Sequence, residues 1–257
     1  MLVPILAVWL AAAGAPEWPT LRQELQKQGV HGNFDDADRR ITSYAVQADA
    51  GWFAIAYYWF DGTELLPPEL RLRVLDRRRG VWQHRMLHDD VHRGGSALHI
   101  HRAGGFIYID LHRTPSAGSL IVLTERLELK RQLNGWASLL LPDGRMLYEN
   151  NMIHFAPAHA GSVSLFEPTT NRTIRVYPAR RENGVGLPWI DRGIVSVRQR
   201  GRRTIEIVAR EQNVAVTTSN TPRLLGKSRD ISITCDIGQA TPRCRVRRMS
   251  RKNPALR

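Results

Sequence analysis

One short hairpin is written four times along this chain. The copies are LRLRVLDRRRGVWQH (70–84), LIVLTERLELKRQL (120–133), VSLFEPTTNRTIRVY (163–177) and ISITCDIGQATPRCRV (231–246). Each is a strand of alternating apolar residues, a polar turn and a second strand. A hairpin cannot bury its apolar face alone, so a repeated one must stack against other copies or fold over them. The alternation is clear residue by residue. Leu70, Leu72 and Val74 share one face, with Arg71 and Arg73 opposite. Ile107, Ile109 and Leu111 share another, with Tyr108, Asp110 and His112 opposite.

The same reasoning predicts strands over 41–46, 52–59, 69–76, 81–87, 96–102, 105–112, 119–124, 127–133, 137–141, 145–154, 162–167, 173–178, 193–199, 203–210, 213–218, 231–236 and 243–249. Asp61-Gly62, Arg79-Gly80, Pro142-Asp143-Gly144 and Arg200-Gly201 mark turns. An irregular excursion is expected around 187–191. Before the strands, Thr20 caps a short helix that Gly29 ends, and a polar linker runs to residue 40.

The first three repeat turns begin near Asp76, Glu125 and Glu167, a spacing of about 40–50 residues, and the fourth near Asp236. That is the period of a four-stranded blade. The stretch GSLIVLTERLELKRQLNGWASLLLPDGRMLYENN resembles β-propeller blades, in which an outer hairpin is followed by an inner strand, Asp-Gly and another strand. The resemblance is architectural and spans 41–249. It implies an all-β, propeller-like domain of four to five blades. Named blade signatures such as WD and kelch are absent. A β-sandwich is the alternative that the same strand spacing allows. At 257 residues the chain is long enough for one large all-β domain or two small ones.

Residues 1–15 read as a secretion leader. The run from Leu2 to Ala13 is apolar, too short to span a bilayer comfortably, and Ala13-Gly14-Ala15 resembles a cleavage site. The expected location is secreted or periplasmic. Cys235 and Cys244, the two cysteines of the chain, fall in the last hairpin, in register with apolar neighbours. On an exported hairpin they predict a disulfide.

The charge is uneven. From residue 192 onward there are 16 Lys and Arg against 4 Asp and Glu, whereas the preceding residues carry 21 against 20. Nearly all the cations are arginine, a side chain suited to phosphate, sulfate and carboxylate. Arg245, Arg247, Arg248 and Arg251, the last in a basic tail over 250–257, are the expected anion-binding residues. The basic stretch carries no interleaved aromatics and no reader motif, which argues against nucleic acid. A protein, an anionic polymer or a lipid headgroup fits better.

Catalytic signatures are missing: no G-x-S-x-G, H-E-x-x-H, Walker loop or C-x-x-C. Histidine offers the one chemical constellation. Eight of nine histidines lie between His84 and His159, and His99 and His101 project from one strand face near Asp110. Two imidazoles beside carboxylates suit a divalent metal ion. The stretch from Pro142 to Asn151 is similar to one found in propeller lactonases of the gluconolactonase type. That resemblance implies a central ion reached by Glu149, Asn150, Asn151 and His154. The candidate metal set is therefore His99, His101, Asp110, Glu149 and His154. Trp52, Tyr57, Tyr58, Trp59, Trp82, Trp136 and Trp189 are candidate sugar platforms, though strand aromatics more often fill cores. Two functions follow: an exported binding or scaffolding protein, or a metal-dependent hydrolase of lactonase or glycosidase type.

Overall fold

The computed structural model describes residues 23, 25–27, 41–59, 69–87, 97–114, 117–150, 162–177, 180–181, 189–216, 222–239 and 241–249. The leader, most of 16–40, the tail over 250–257, Asn151, His154 and Arg251 lie outside the described residues.

The described chain is almost wholly strand. Strands β1 (Ile41–Ala48), β2 (Trp52–Trp59), β3 (Glu69–Asp76) and β4 (Val81–Leu87) form one sheet in chain order. Strands β5 (Ala97–Ala103), β6 (Phe106–Thr114), β7 (Ala117–Thr124), β8 (Leu129–Leu140), β9 (Met146–Asn150), β10 (Val163–Glu167) and β11 (Arg172–Tyr177) follow one another in a second. Strands β12 (Arg180–Arg181), β13 (Trp189–Gly201), β14 (Thr204–Val216), β15 (Pro222–Asp236) and β16 (Arg243–Arg248) make the third. The sheets are antiparallel and none closes on itself. Their sizes of four, seven and five strands do not divide into equal four-stranded blades. Hairpin spacing dictates which strands are neighbours, but not where one sheet stops and the next begins.

The chain divides into two compact units, Met1–Thr114 with Ser119–Gln132, and Pro115–Gly118 with Leu133–Arg257. In the first, β2 is buried on both faces, which explains its unbroken apolar sequence WFAIAYYW. Trp52, Ala54, Ala56 and Tyr58 join Leu70, Leu72 and Val74 of β3 in a core completed by Ile100, Ile107, Ile109, Leu111, Ile121 and Leu123. Two sheets thus contribute to one core. Phe53, Ile55 and Tyr57 face the other way onto Leu25, one of the helical residues, and Ile41. In the second unit, Leu147, Val163, Leu165 and Val176 share a core with Ile205, Ile207, Ile231, Ile233 and Cys235, again from two sheets. Full burial of each such side chain stabilises by about 1.5–3 kcal/mol.

Turns follow the residue chemistry. Asp76 Oδ1 accepts hydrogen bonds from the backbone N–H of Arg78 at 2.9 Å and of Arg79 at 3.2 Å, and Gly80 closes that turn at φ +65°. Among the described residues, no helix is long and apolar enough to cross a membrane.

The strand limits differ from expectation chiefly in four places. The strands expected over 127–133 and 137–141 are replaced by one, β8, whose pairing with β9 shifts between Ala137 and Leu139. The strands expected over 203–210 and 213–218 are likewise replaced by one, β14, with a shift against β15 between Glu211 and Asn213. A bulge adds one residue to a strand, so the apolar period breaks while the strand continues. β13 starts at Trp189, inside the expected excursion, and β15 starts at Pro222, where the polar sequence PRLLGKSRD shows no alternation.

Cys235 and Cys244 are directly opposed on β15 and β16, with sulfurs 2.05 Å apart and Cα atoms 4.1 Å apart. The bond closes a nine-residue separation next to a sheet edge. The double variant C235A/C244A is expected to lose about 2–3 kcal/mol of unfolding free energy in urea titration. The same loss should appear when the parent protein is titrated in reductant.

Candidate functional site

The histidines sit on a hairpin with two different faces. On β5 and β6, Leu98, Ile100, Ile107, Ile109 and Leu111 enter the core of the first unit. Alternation therefore sends His99, His101, Tyr108 and Asp110 to the opposite face, where His99 is paired across the strands with Asp110 and His101 with Tyr108. That face is only partly solvated, with His99 and His101 half-buried. Tyr108 is fully buried and Asp110 is 5% exposed. The imidazole rings of His99 and His101 are 6.5 Å apart between centroids. Burial, with the charge of His99 as a second cause, depresses the pKa of His101 to about 4. The ring is therefore neutral at pH 7, the state that can donate a lone pair to an ion.

Glu149 lies in the second unit, on β9. Burial raises its pKa, while hydrogen bonds from Ser138 and Trp136 act in the other direction. Ser138 occupies the bulge of β8, and its Oγ donates to Glu149 Oε1 at 3.0 Å. The close approach of the two strands depends on Gly135, where an added Cβ would come 2.0 Å from the carbonyl oxygen of Glu149. The Asn150 side-chain amide is used internally. Its Nδ2 donates to Ser162 O at 2.9 Å, and to Ser162 Oγ and Ser164 Oγ at 2.8 Å each, tying β9 to the start of β10. The expected metal set is thus divided: His99, His101 and Asp110 on one hairpin, Glu149 in the other unit, and His154 outside the described residues. Among the described residues, no three His, Cys, Asp or Glu side chains are grouped as ligands would be.

One cluster had no signal in the sequence. Arg102 Nη2 and Nε donate to Glu125 Oε1 at 2.6 and 3.1 Å, and its Nη1 to Asp49 Oδ2 at 3.1 Å. Its guanidinium stands 5.0 Å from the Trp52 ring centroid, beside a cleft of about 320 Å³. Two turns of the first unit are thus clamped to β5 by this one side chain. The partners are 23 and 53 residues away, so no local motif announces them.

The basic region is better defined. In the second unit, β16 is the edge of its sheet. Ile231, Ile233 and Cys235 point into the core and are paired with Arg248, Val246 and Cys244. Register therefore places Arg243, Arg245 and Arg247 on the outward face, about 6.8 Å from one to the next. All three are exposed. Arg248 belongs to the other face, so period two separates it from Arg245 and Arg247, with which the sequence groups it.

The carboxylates nearby are engaged elsewhere. Glu206 accepts from Arg198 at 2.7 Å, from Ser232 at 2.7 Å and from Arg200. Asp230 binds Arg210 at 3.0 Å, Glu211 binds Arg229, and Asp236 Oδ1 accepts from the Gly238 N–H. Those are all four acidic residues after position 191. Among the described residues, Arg245, Arg247 and Arg248 form no ion pair.

Three outcomes follow from this geometry. Because the folded pKa of His101 lies below its ordinary 6.5, folding excludes the proton. Its contribution is intact above pH 6.5 and is lost as pH falls toward 4. H101Q should remove about 3 kcal/mol of acid sensitivity between pH 7 and 4, read by urea titration at each pH. For Glu206, burial pushes the pKa up, but hydrogen bonds from Ser232, Arg200 and Arg198, with the charge of Arg198, outweigh it and hold the pKa below the usual 4.5. Its contribution is present above pH 4.5 and declines below it, and E206Q should flatten that limb in the same titration. G135A should cost about 1–3 kcal/mol, since β8 must move off Glu149.

No protein-family model matches the chain, and no curated protein matches it.

Proposed function

We propose that this chain is an exported all-β binding protein, built of sandwich-like units, whose outward arginine row on β16 docks an anionic component of the cell envelope. The observation that carries this reading is the segregation of charge on one sheet. Each acidic side chain of the basic quarter already has a partner, while Arg243, Arg245 and Arg247 stand exposed at even spacing on an edge strand. Such a row can meet successive phosphates, sulfates or carboxylates with the bidentate geometry of guanidinium. Export is supported by the leader-like residues 1–15 and by the bonded cysteine pair, a bond that persists in oxidising compartments. Closure into a propeller is not needed for this role.

Binding of the full chain is measured to vesicles rich in anionic phospholipid and, separately, to immobilised polyphosphate. The triple variant R243Q/R245Q/R247Q should bind about 100-fold more weakly at low salt, from about 1 kcal/mol for each arginine. R248Q should lose much less, because its side chain is on the other face. Equal retention by the triple variant and the parent protein, on both supports, overturns the reading. The hydrolase alternative draws its support from neutral His101 and its neighbours His99 and Asp110. Stoichiometric metal in protein purified without an affinity tag, lost in H99A/H101A, would favour it.

A further inference from the structure

The first unit has an edge strand unlike the rest of its surface. β4 is the last strand of its sheet, and among the described residues no strand pairs with its outer side. Its sequence is VWQHRML, and Val81, Trp82 and Met86 are exposed by 51%, 37% and 47%. They are half of the six large apolar side chains that are this exposed among the described residues. Native edges are normally protected by charge, proline or a bulge. β4 has only Arg85 as a charged side chain, and that guanidinium is held through a hydrogen bond to Leu127 O.

The order of residues on this edge is symmetric about His84. Trp82 and Met86 stand two positions to either side, Gln83 and Arg85 one, and Val81 and Leu87 three. In an antiparallel pair, residues equidistant from the centre face one another on the same side of the sheet. Two copies of β4 centred on His84 would set Trp82 against Met86 of the second copy, and Met86 against Trp82. They would set Gln83 against Arg85, a hydrogen-bonding pair without like charge. Trp82 is already seated edge-on to Phe53, with ring centroids 6.1 Å apart, so it presents a fixed apolar surface. Thioether against indole is a favourable contact. The net charge of +13 lies almost wholly beyond residue 191, since the residues before 192 carry 21 cations against 20 anions.

We infer that β4 is a self-pairing edge, through which two copies of this chain join their four-stranded sheets about a two-fold axis at His84. The contact is isologous, so it closes at two and leaves no further edge of this kind to extend. It involves no residue of the anion-binding row and stands independently of that role.

The test uses the full chain in solution and reads mass and register together. Sedimentation over about 1–100 μM should show a concentration-dependent dimer, which W82K and M86K should each weaken about tenfold or more. The chain has no other free thiol when its two cysteines are bonded, so single cysteines report the register. Residues opposed in an antiparallel pair have Cα atoms about 4.5–5.5 Å apart, within disulfide reach, whereas residue 83 and its own copy would be about 8 Å apart. H84C should therefore cross-link into covalent dimers under mild oxidation well before Q83C does. Circular dichroism checks that each variant is folded, and if W82K is not, M86K and the cross-linking pair decide. A monomer throughout, or a dimer indifferent to M86K with equal cross-linking at 83 and 84, overturns the inference.

Discussion

Every described strand pairs with the strand before or after it in the chain, and the rest of the structure depends on that constraint. Backbone N–H and C=O groups removed from water must find partners. Here they find them in the nearest segment, across a turn. No crossover is required, so hydrophobic patterning alone decides which face of each hairpin is buried. Three buried clusters are the outcome. In two of them side chains from two sheets meet, and β2 serves one cluster on either of its faces, its sequence apolar throughout for that reason.

Much of this was legible in the sequence. A period-two signal survives wherever one face is wet, as in β3, where Leu70, Leu72 and Val74 are buried between half-exposed arginines. Bulges are less visible. The shifts near Ala137 and Glu211 read as strand ends because one extra residue inverts the pattern downstream. The start of β15 was hidden for a different reason, since its residues from 226 to 230 are exposed and carry no apolar alternation. The grouping of strands into sheets was not legible at all. Blade spacing and the spacing of a long meander coincide.

The candidate sites show the same division between local and distant information. Register predicted that His99 and His101 would share a face, and that the two cysteines would meet, because both follow from neighbouring strands. It could not predict that Tyr108 and Asp110 on that same face would be buried. Charge was misleading until its partners were known. The basic quarter contains many arginines, and Glu206, Asp230 and Glu211 hold Arg198, Arg200, Arg210 and Arg229 of them. The evenly spaced outward row belongs to a single strand, β16.

That strand is also the one stapled to its neighbour. A pull on the chain beyond Arg248 would load the outer hydrogen bonds of β16 in sequence, peeling them apart like a zipper from Arg248 toward Arg243. The covalent link at Cys244 lies five pairs along that path. Peeling must stop there, and further load would pass directly into β15 and the core beneath it. An anchor point held under tension, such as a surface-attached arginine row, would therefore resist detachment of its own strand even after most of that strand's hydrogen bonds had opened.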